Sequence, residues 1–584
     1  MRCHRIAPAT LAAALLSSLF LCPTAGAQER AIGDTLTVVM RPILSVPAIV
    51  VAGNSFTIEA LAPQSTTGWS ASLTRAGRAP HSLGVVSASY LTSHERWFIG
   101  VTVPGDVPED VYDLEVTASG GIYDEIAHAV AVRASIDTEF YVIQITDTHL
   151  PTHLYYYESG ADSDTSEMED LHAVIDDINI INPDFVLLTG DVVNEGELED
   201  YLDKRYFTKA QRILERLDVP VYLIAGNHDI GGWDDTPPPD GTARRNWWKF
   251  FGWRYLEDPP SGDPLHTQDY SFDHGGAHFV GIEAYNNYDR WRRTVYGRDS
   301  FTDDQLDWLA DDLSVVPPTT PVLAFYHMDF QDQLSLSSLG IDCALWGHVH
   351  YTSGSINSPP YNLSTETVCD GERAMRLVRI DDGIIIPTEP IAAGSSGQML
   401  RLEFDTANDG TSTEITANVV NNQPETFEHG LIKFRVPADS APYEVDAGEI
   451  TQTVIESGVA VCYVEIPMPA YSITTVTISP SGGTGVPGNG GSILALARPV
   501  WPNPAGDSVG LSFALAVRAH VRADVVNVAG RLVATLSDEE LPRGTYDLRW
   551  DLRDAAGADV ASGVYFLRIR ASEEQRLERF VVLR

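Results

Sequence analysis

Five short apolar runs in the middle of the chain each lead into residues that can bind a metal ion. The runs read as buried strands and cover residues 140–145, 185–188, 221–224, 322–326 and 343–346. Because strands of an open α/β sheet end at a common crevice, the side chains that follow them are expected to meet there. In chain order these residues are Asp147, His149, Asp191, Asn227, His228, Asp229, His327, His348 and His350.

The chemistry of this set is that of a transition-metal site. It offers imidazole, carboxylate and amide groups and needs no thiolate, which suits manganese, iron or zinc. A lone histidine in an α/β domain is usually structural, but most of the 16 histidines of the chain lie between His149 and His350. The sequence therefore predicts metal binding in this region.

The elements that must position these residues alternate between strand and helix over residues 137–352, which is typical of a layered α/β domain. Apolar residues at i, i+3, i+4 and i+7 from Leu171 to Ile178 predict one helix. A capping box formed by Thr302 and Gln305 predicts the start of another. Both helices are expected to cover a sheet.

In order and spacing, the motifs Asp-x-His, Gly-Asp, Gly-Asn-His-Asp, a lone His and Gly-His-x-His resemble those of the calcineurin-like metallophosphoesterases, in the Asp-x-His branch. The resemblance implies a central sandwich of two sheets flanked by helices, with two metal ions bridged by Asp191. It implies a hydrolase of phosphoric esters, a phosphodiesterase or phosphatase, in which a metal-held hydroxide attacks phosphorus. The implied ligands are Asp147, His149 and His350 for one ion, and Asn227, His327 and His348 for the other.

Two further roles follow from the same resemblance. His228 is expected to protonate the leaving oxygen, with Asp229 as the partner that orients its ring. Purple acid phosphatases carry a ligand Tyr three residues after the aspartate of Gly-Asp, and this chain has Asn194 there. Asn194 is therefore expected to steady the ligand loop or contact substrate rather than bind metal.

Substrate choice is expected to depend on His153 and on the insertion between Asp229 and His327. The insertion is rich in Trp and Arg, which can stack on a base or bind a non-reacting phosphate. The alternative is that these residues form the core of a cap and pair with surplus Asp. The candidate substrate residues of the insertion are Arg244, Tyr285 and Asn286.

The rest of the chain predicts a multidomain protein with all-β units on both sides of the α/β domain. Residues 1–27 have the basic start, apolar run and small-residue end of a signal peptide. Short strands predict an immunoglobulin-like sandwich over 31–136 and a second β-sandwich over 353–479. A Gly-rich linker, 480–492, leads to a final all-β module, 493–584.

The final module has a resemblance of its own. Pro502-Asn503-Pro504, the segment from Val525 to Val533, and Gly563-Val564-Tyr565-Phe566 are similar to the immunoglobulin-like module of flagellar hook-capping proteins. Similar modules serve as C-terminal sorting domains of type IX secretion cargo. The resemblance implies a bacterial protein that interacts with export machinery and is secreted or held at the cell surface.

The charge composition of the chain limits the classes of molecule that it is expected to bind. The 584 residues carry a formal net charge of −42, which repels nucleic-acid phosphates and disfavours binding to duplex DNA or RNA. No apolar run after residue 27 is long enough to span a bilayer. The leading interpretation is an exported hydrolase of small phosphoesters. The alternatives are a non-catalytic surface adhesin or scaffold that keeps a metal site, and a nuclease.

Overall fold

A computed structural model of the chain describes residues 38–151, 166–200, 205–230, 242–252, 268–283, 301, 303–329, 334–369, 373–394, 400–440, 442–481 and 494–583, with short gaps in the last range at 502–504, 507, 516–518, 529–530, 542–543 and 572–573. The protein is multidomain, multi-sheet and mostly β. The expected signal peptide and nearly all of the expected linker lie outside the described residues. Within those residues no helix combines the length and apolarity needed to cross a bilayer.

The first unit is built from eight strands that are hydrogen-bonded in one continuous path, in the order β1-β3-β6-β5-β4-β7-β8-β2. Alternating burial along β6 matches a sheet with one covered face. The strands are β1 (Val39–Arg41), β2 (Ala48–Val51), β3 (Ser55–Ala60), β4 (Ser70–Thr74), β5 (His81–Leu91), β6 (Arg96–Thr102), β7 (Asp110–Ala118) and β8 (Ile122–Arg133).

The central unit contains two sheets packed face to face over an apolar core. The first sheet has the order β11-β10-β9-β17-β18, with β19 paired to β17; the second has the order β12-β13-β14-β15-β16. Its strands are β9 (Phe140–Ile145), β10 (Val186–Leu188), β11 (Val221–Leu223), β12 (Tyr270–His274), β13 (Ala277–Gly281), β14 (Val322–Phe325), β15 (Cys343–Trp346), β16 (Tyr361–Ser364), β17 (Ala374–Asp381), β18 (Ile384–Pro387) and β19 (Ile391–Ala392).

Helices accompany these two sheets, and both expected helices are present. The first begins at Ser166 and buries its apolar stripe, including Leu171 and Ile178, in the core. The described helices are α1 (Ser166–Ile181), α2 (Tyr206–Leu214), α3 (Asn227–Ile230), α4 (Thr242–Phe250), α5 (Asp303–Ser314) and α6 (Leu336–Leu339), with a 3₁₀ turn over Gly196–Leu198.

The two sheets extend beyond residue 352, the boundary that the sequence predicts for this unit. β16 pairs in parallel with β15, and β17 pairs antiparallel with β9 from Arg376 opposite Gln144 to Ile380 opposite Phe140. The expectation of a separate β-sandwich from residue 353 is therefore corrected: its first strand begins at Leu400. The reason is hydrogen bonding between strands, because β9 has an open edge that β17 fills.

The third unit consists of a four-stranded sheet, β20-β21-β26-β23, and a three-stranded sheet, β22-β25-β24. Their shared core is continuous with the core beneath α1. The strands are β20 (Leu400–Phe404), β21 (Ile415–Asn421), β22 (Phe427–Pro437), β23 (Tyr443–Val445), β24 (Glu449–Glu456), β25 (Val459–Met468) and β26 (Ser472–Pro480), with a 3₁₀ turn over Ala438–Ser440.

The last unit has its own core, which includes Phe513, Trp550 and Phe580. It forms a three-stranded sheet, β27-β28-β31, and a four-stranded sheet, β30-β29-β32-β33. The strands are β27 (Leu494–Trp501), β28 (Val509–Leu515), β29 (Ala519–Asn527), β30 (Leu532–Leu541), β31 (Gly544–Trp550), β32 (Gly563–Ala571) and β33 (Glu574–Val582).

Candidate metal centre

The ends of strands from both central sheets bring their polar residues into two adjoining clusters. One cluster joins Asp147, His149 and His350, and the other joins Asp191, His327 and His348. An overlapping group of His149, Asp191 and His228 connects the two. In each cluster one potential ligand atom per residue lies within 4.8 Å of the others. The first sheet supplies the residues that follow β9 and β10, and the second sheet supplies those that follow β14 and β15.

Asp191 lies between the two clusters. Its Oδ2 is 3.0 Å from His327 Nε2 and 3.8 Å from His149 Nε2. Asn227 joins on the His327 side, where its Oδ1 is 3.0 Å from His327 Nε2. The seven residues expected as ligands therefore lie at one place, and the Asp191 carboxylate lies between histidines of the two clusters.

The donor atoms have a geometry that suits metal ions. His149 Nε2 and His350 Nε2 lie 3.2 Å apart, and His350 Nε2 lies 3.3 Å from Asp147 Oδ1. Two ring nitrogens and a carboxylate oxygen that face one point are a common way to hold a divalent cation. The clustered His and Asp groups indicate divalent metal ions, and the residues present fit that role.

Electrostatic interactions at the site keep the carboxylates ionised and keep His327 protonated. Burial disfavours charge on Asp147, but hydrogen bonds with His149 and His350 outweigh it and keep its pKa well below the usual range. Burial acts to lower the pKa of His327, but Asp191 raises it to about 9. Burial together with the charge on His327 lowers the pKa of His348 to about 4.

The backbone at the site adopts a rarely used conformation. Five of the seven expected ligands have a positive φ, from 44° to 67°. Non-glycine residues in this left-handed region carry strain, which persists at functional sites because the surrounding structure holds it. The five residues are Asp147, His149, Asp191, His348 and His350.

Glycine precedes three of the expected ligands, Asp191, Asn227 and His348, because the space there is too tight for a side chain. A Cβ on Gly226 would collide with the Asp191 carboxylate, and a Cβ on Gly347 would collide with Thr146 Oγ1 and Asp147 Oδ2. The Gly-Asn and Gly-His pairs of the motifs are thus explained by close approach of the backbone to the ligand carboxylates.

Neighbouring polar groups orient the ligand side chains by hydrogen bonds. Thr146 Oγ1 donates to Asp147 Oδ2 at 2.7 Å, and the His348 N–H donates to the same oxygen at 3.0 Å. His327 Nδ1 donates to the carbonyl of Thr189 at 2.8 Å, which turns Nε2 towards Asp191. Thr146 and Thr189 belong to no motif in the sequence, and the one signal for them is their position directly before the ligand motifs.

The ring of His228 is oriented by a backbone carbonyl. His228 Nδ1 lies 2.6 Å from the Asn194 oxygen, and the ring contacts His149 edge-on at 4.7 Å between centroids. The expectation that Asp229 orients this ring is wrong. The buried Asp229 carboxylate instead accepts the N–H groups of Val193 and Gly226, so it ties the loop after β10 to the loop after β11.

Of the five residues expected to contact substrate, the structure describes two, Arg244 and Asn194. His153, Tyr285 and Asn286 lie outside the described residues. Arg244 is buried and donates to Glu283 Oε1 at 2.7 Å, a pair that accounts for its position without a substrate. Asn194 is fully buried, and neither polar atom of its amide has a hydrogen-bond partner among the described residues.

Two family models match parts of this chain. The model of the calcineurin-like phosphoesterases matches residues 140–352, which contain both clusters. The chain carries a calcineurin-like phosphoesterase domain. It is accordingly a metal-dependent phosphoester hydrolase. The model of the secretion system C-terminal sorting domain matches residues 499–583, which points to secretion or surface localisation.

Relatives of the phosphoesterase domain are distant. A probable cyclic nucleotide phosphodiesterase from Rhodococcus erythropolis is 22% identical over 287 residues, which are 43% of this chain and 84% of that protein. A dimetal phosphatase from Danio rerio is 16% identical, with a TM-score of 0.32 over 44% of this chain and 98% of that one. A purple acid phosphatase from yellow lupin (Lupinus luteus) seeds is 12% identical, with a TM-score of 0.34 over 58% and 73%.

Proposed function

We propose that the chain is an exported hydrolase of small phosphodiesters that works with two divalent metal ions, manganese, iron or zinc. The observation that carries the proposal is the pair of clusters that adjoin at Asp191, each with its own histidines. The proposed ligands are Asp147, His149 and His350 on one side, Asn227, His327 and His348 on the other, and Asp191 between them.

In this proposal the residues of the chain attract the metal ions, coordinate them and donate a proton to the leaving group. When bound, the metal ions activate water and neutralise charge on the phosphoryl oxygens. Asp147 and Asp191 stay ionised and hold positive charge at the site, while neutral His348 presents a lone pair. His228, with Nδ1–H bound to the Asn194 carbonyl, delivers a proton through Nε2 to the departing oxygen.

The preference for a small diester has two supports. The relative from Rhodococcus erythropolis is described as a probable cyclic nucleotide phosphodiesterase, and the match covers most of its length. The net charge of −42 works against long polyanions and leaves small phosphoesters as the favoured class. Export is supported by the match of the sorting domain.

The test compares esters and metals in one preparation. The full chain is stripped with a chelator, reloaded with Mn²⁺, Fe²⁺ or Zn²⁺, and assayed with bis(p-nitrophenyl) phosphate, p-nitrophenyl phosphate and cyclic nucleotides. Asp191→Asn is expected to lose roughly 100-fold or more in turnover and to bind less metal, because the bridge between the clusters is weakened. Asp184→Asn, at a carboxylate that contacts His274 away from the site, is the matched control.

The outcomes separate the alternatives. Faster hydrolysis of the diesters than of the monoester supports the proposal, and the reverse order identifies a phosphatase. A wild-type chain that binds two metal ions and hydrolyses none of these esters contradicts the hydrolase and favours a binding or scaffold role. Degradation of long RNA or DNA with no activity on small diesters identifies a nuclease.

A further inference from the structure

A polar layer interrupts the apolar core directly beneath the metal centre. The inward-facing residues of β9 are Phe140 and Val142 and then Gln144, since side chains alternate along a strand. On the antiparallel β17, Arg376 is likewise the inward-facing residue next to Val378. Four fully buried residues make up this layer, which we call the inter-sheet polar layer: Gln144, Thr189, Thr365 and Arg376.

Arg376 spans the gap between the sheets. From β17 of the first sheet, its Nη2 donates to the carbonyl of Ser364 at 2.7 Å and its Nε donates to Thr365 Oγ1 at 2.9 Å, both at the end of β16 in the second sheet. Its Nη1 donates to the carbonyl of Thr388, just after β18. All three acceptors are neutral oxygens, so the guanidinium acts as a connector between strands rather than as half of an ion pair.

Gln144 is the second residue whose side chain links the two sheets. Its Nε2 donates to Thr189 Oγ1 at 3.0 Å on the neighbouring strand of the first sheet, and to the carbonyl of Trp346 at 3.1 Å in the second sheet. Its Oε1 accepts the hydroxyl of Thr365. One amide therefore holds the strand before Asp191 and the strand before His348 in a common network.

The direction of these hydrogen bonds is set by the carbonyl of Trp346. A carbonyl can only accept, so the amide of Gln144 presents Nε2 to Trp346 and Oε1 to Thr365. The hydroxyl of Thr365 therefore donates to Gln144 Oε1 and accepts the bond from Arg376. A fully satisfied buried network of this kind rigidifies its surroundings, whereas a broken one leaves unpaired polar groups.

The metal centre depends on the separation of the two sheets at this level. Asp147 and Asp191 follow strands of the first sheet, and His327 and His348 follow strands of the second. The carbonyl of Thr189, next to the side chain that Gln144 holds, also accepts His327 Nδ1–H. A shift of one sheet against the other would move the histidines away from the carboxylates.

We propose that Arg376, acting through Thr365 and Gln144, is a positioning residue that fixes the spacing between the two halves of the metal centre. The proposal rests on the function proposed above, since the ligands must act on metal ions for their spacing to matter. It assigns a role to a residue outside the segment that matches the phosphoesterase family model, which ends at residue 352.

The experiment measures metal binding in the full chain, independently of hydrolysis. Chelator-treated protein is titrated with Mn²⁺ by calorimetry for affinity and stoichiometry, and its Co²⁺ form is examined by visible absorption for coordination geometry. Arg376→Met keeps an unbranched apolar side chain and removes all three donors, and it is expected to weaken Mn²⁺ binding by roughly 10- to 100-fold and to change the Co²⁺ spectrum. Arg376→Lys is expected to recover part of the affinity.

Two further variants separate positioning from stability. Thr365→Val removes only the hydroxyl that joins Arg376 to Gln144, and it serves as the test if Arg376→Met does not fold; its expected loss of affinity has the same direction. Val378→Ala removes buried apolar volume one inward position away on the same strand. It is expected to lower the melting temperature and to leave Mn²⁺ affinity within roughly twofold.

The proposal is overturned if Arg376→Met or Thr365→Val binds two Mn²⁺ ions with wild-type affinity and an unchanged Co²⁺ spectrum, or if Val378→Ala loses as much affinity as they do. A wild-type chain that binds fewer than two ions contradicts the proposed function instead. Wild-type protein that binds two ions and hydrolyses esters, alongside an unaffected Arg376→Met, removes only the positioning role.

Discussion

The proton donor proposed at the site is held by main-chain atoms. His228 Nδ1 contacts the Asn194 carbonyl at 2.6 Å, and the bond from residue 228 to Asp191 Oδ1 comes from the backbone N–H, which an alanine keeps. We predict that His228→Ala lowers kcat by roughly 100-fold or more for esters with poor leaving groups, and much less for p-nitrophenyl esters, because only the former need protonation. A plot of log kcat against leaving-group pKa measures this, with metal content as the control. An equal loss across the series contradicts the role.

The buried amide of Asn194 offers a test of substrate contact. Because its polar atoms have no hydrogen-bond partner among the described residues, Asn194→Ala should change stability little and should raise KM several-fold if the amide contacts substrate. The matched control is Asn246→Ala, whose buried amide donates to the Gly196 carbonyl at 2.8 Å. That variant should lose about 1 kcal/mol of stability without a change in KM. An unchanged KM in Asn194→Ala excludes the contact.

At the scale of the element, helix α1 carries a titratable group in an unfavourable place. The Asp177 carboxyl is buried, and among the residues that the structure describes its only hydrogen bond is from the Gly394 N–H at 3.1 Å. Burial raises its pKa to about 7, against about 3.9 for an unfolded chain. Since the folded state binds the proton more tightly, stability from this group is complete below about pH 4 and is lost as pH rises through 7.

We therefore predict that Asp177→Asn stabilises the protein at pH 8 by on the order of 1–3 kcal/mol, and that the gain shrinks towards zero near pH 4. The side-chain oxygen of Asn can still accept the Gly394 N–H, so the hydrogen bond is kept. Thermal unfolding at several pH values measures the difference. Asp176→Asn, at an exposed neighbour paired with Arg216, is the control and should show no such trend. A gain that does not depend on pH would contradict the assignment.

At the scale of the whole molecule, one arginine joins the first and third units. The side chain of Arg78, between β4 and β5, is only 3% exposed, and its Nη2 contacts Asp110 at 2.7 Å, Glu456 at 2.8 Å and the Tyr463 hydroxyl at 2.6 Å. The last two residues belong to β24 and β25. The contact makes the two flanking units support each other beside the phosphoesterase domain.

We predict that Arg78→Met lowers the stability of the protein by about 2 kcal/mol, because the buried carboxylate of Asp110 loses one of its two arginine partners and keeps only Arg75. The control is Arg553→Met, which removes an exposed pair with Asp559 and should have no measurable effect. Urea unfolding followed by fluorescence compares the two. Equal stability of both variants would show that the junction contributes nothing.

The sequence by itself determined which residue types bind metal and which two domain families the chain resembles. Metal-binding residue types after five apolar runs predicted where the ligands meet, because strand ends in such sheets share one edge. The phosphoesterase domain and the sorting domain were also predicted from motifs, and both are confirmed. Local patterns of this kind survive folding because each depends on a strand and the residue directly after it.

Only the tertiary structure decided what supports those ligands. The pairing of β17 with β9, which brings Arg376 beneath the site, depends on which strand fills an open edge. The partner of the His228 ring is the carbonyl of Asn194 rather than the side chain of Asp229, and every residue has a carbonyl whatever its type. Residue types therefore indicate which groups can do chemistry, whereas long-range hydrogen bonding and backbone conformation decide how those groups are held.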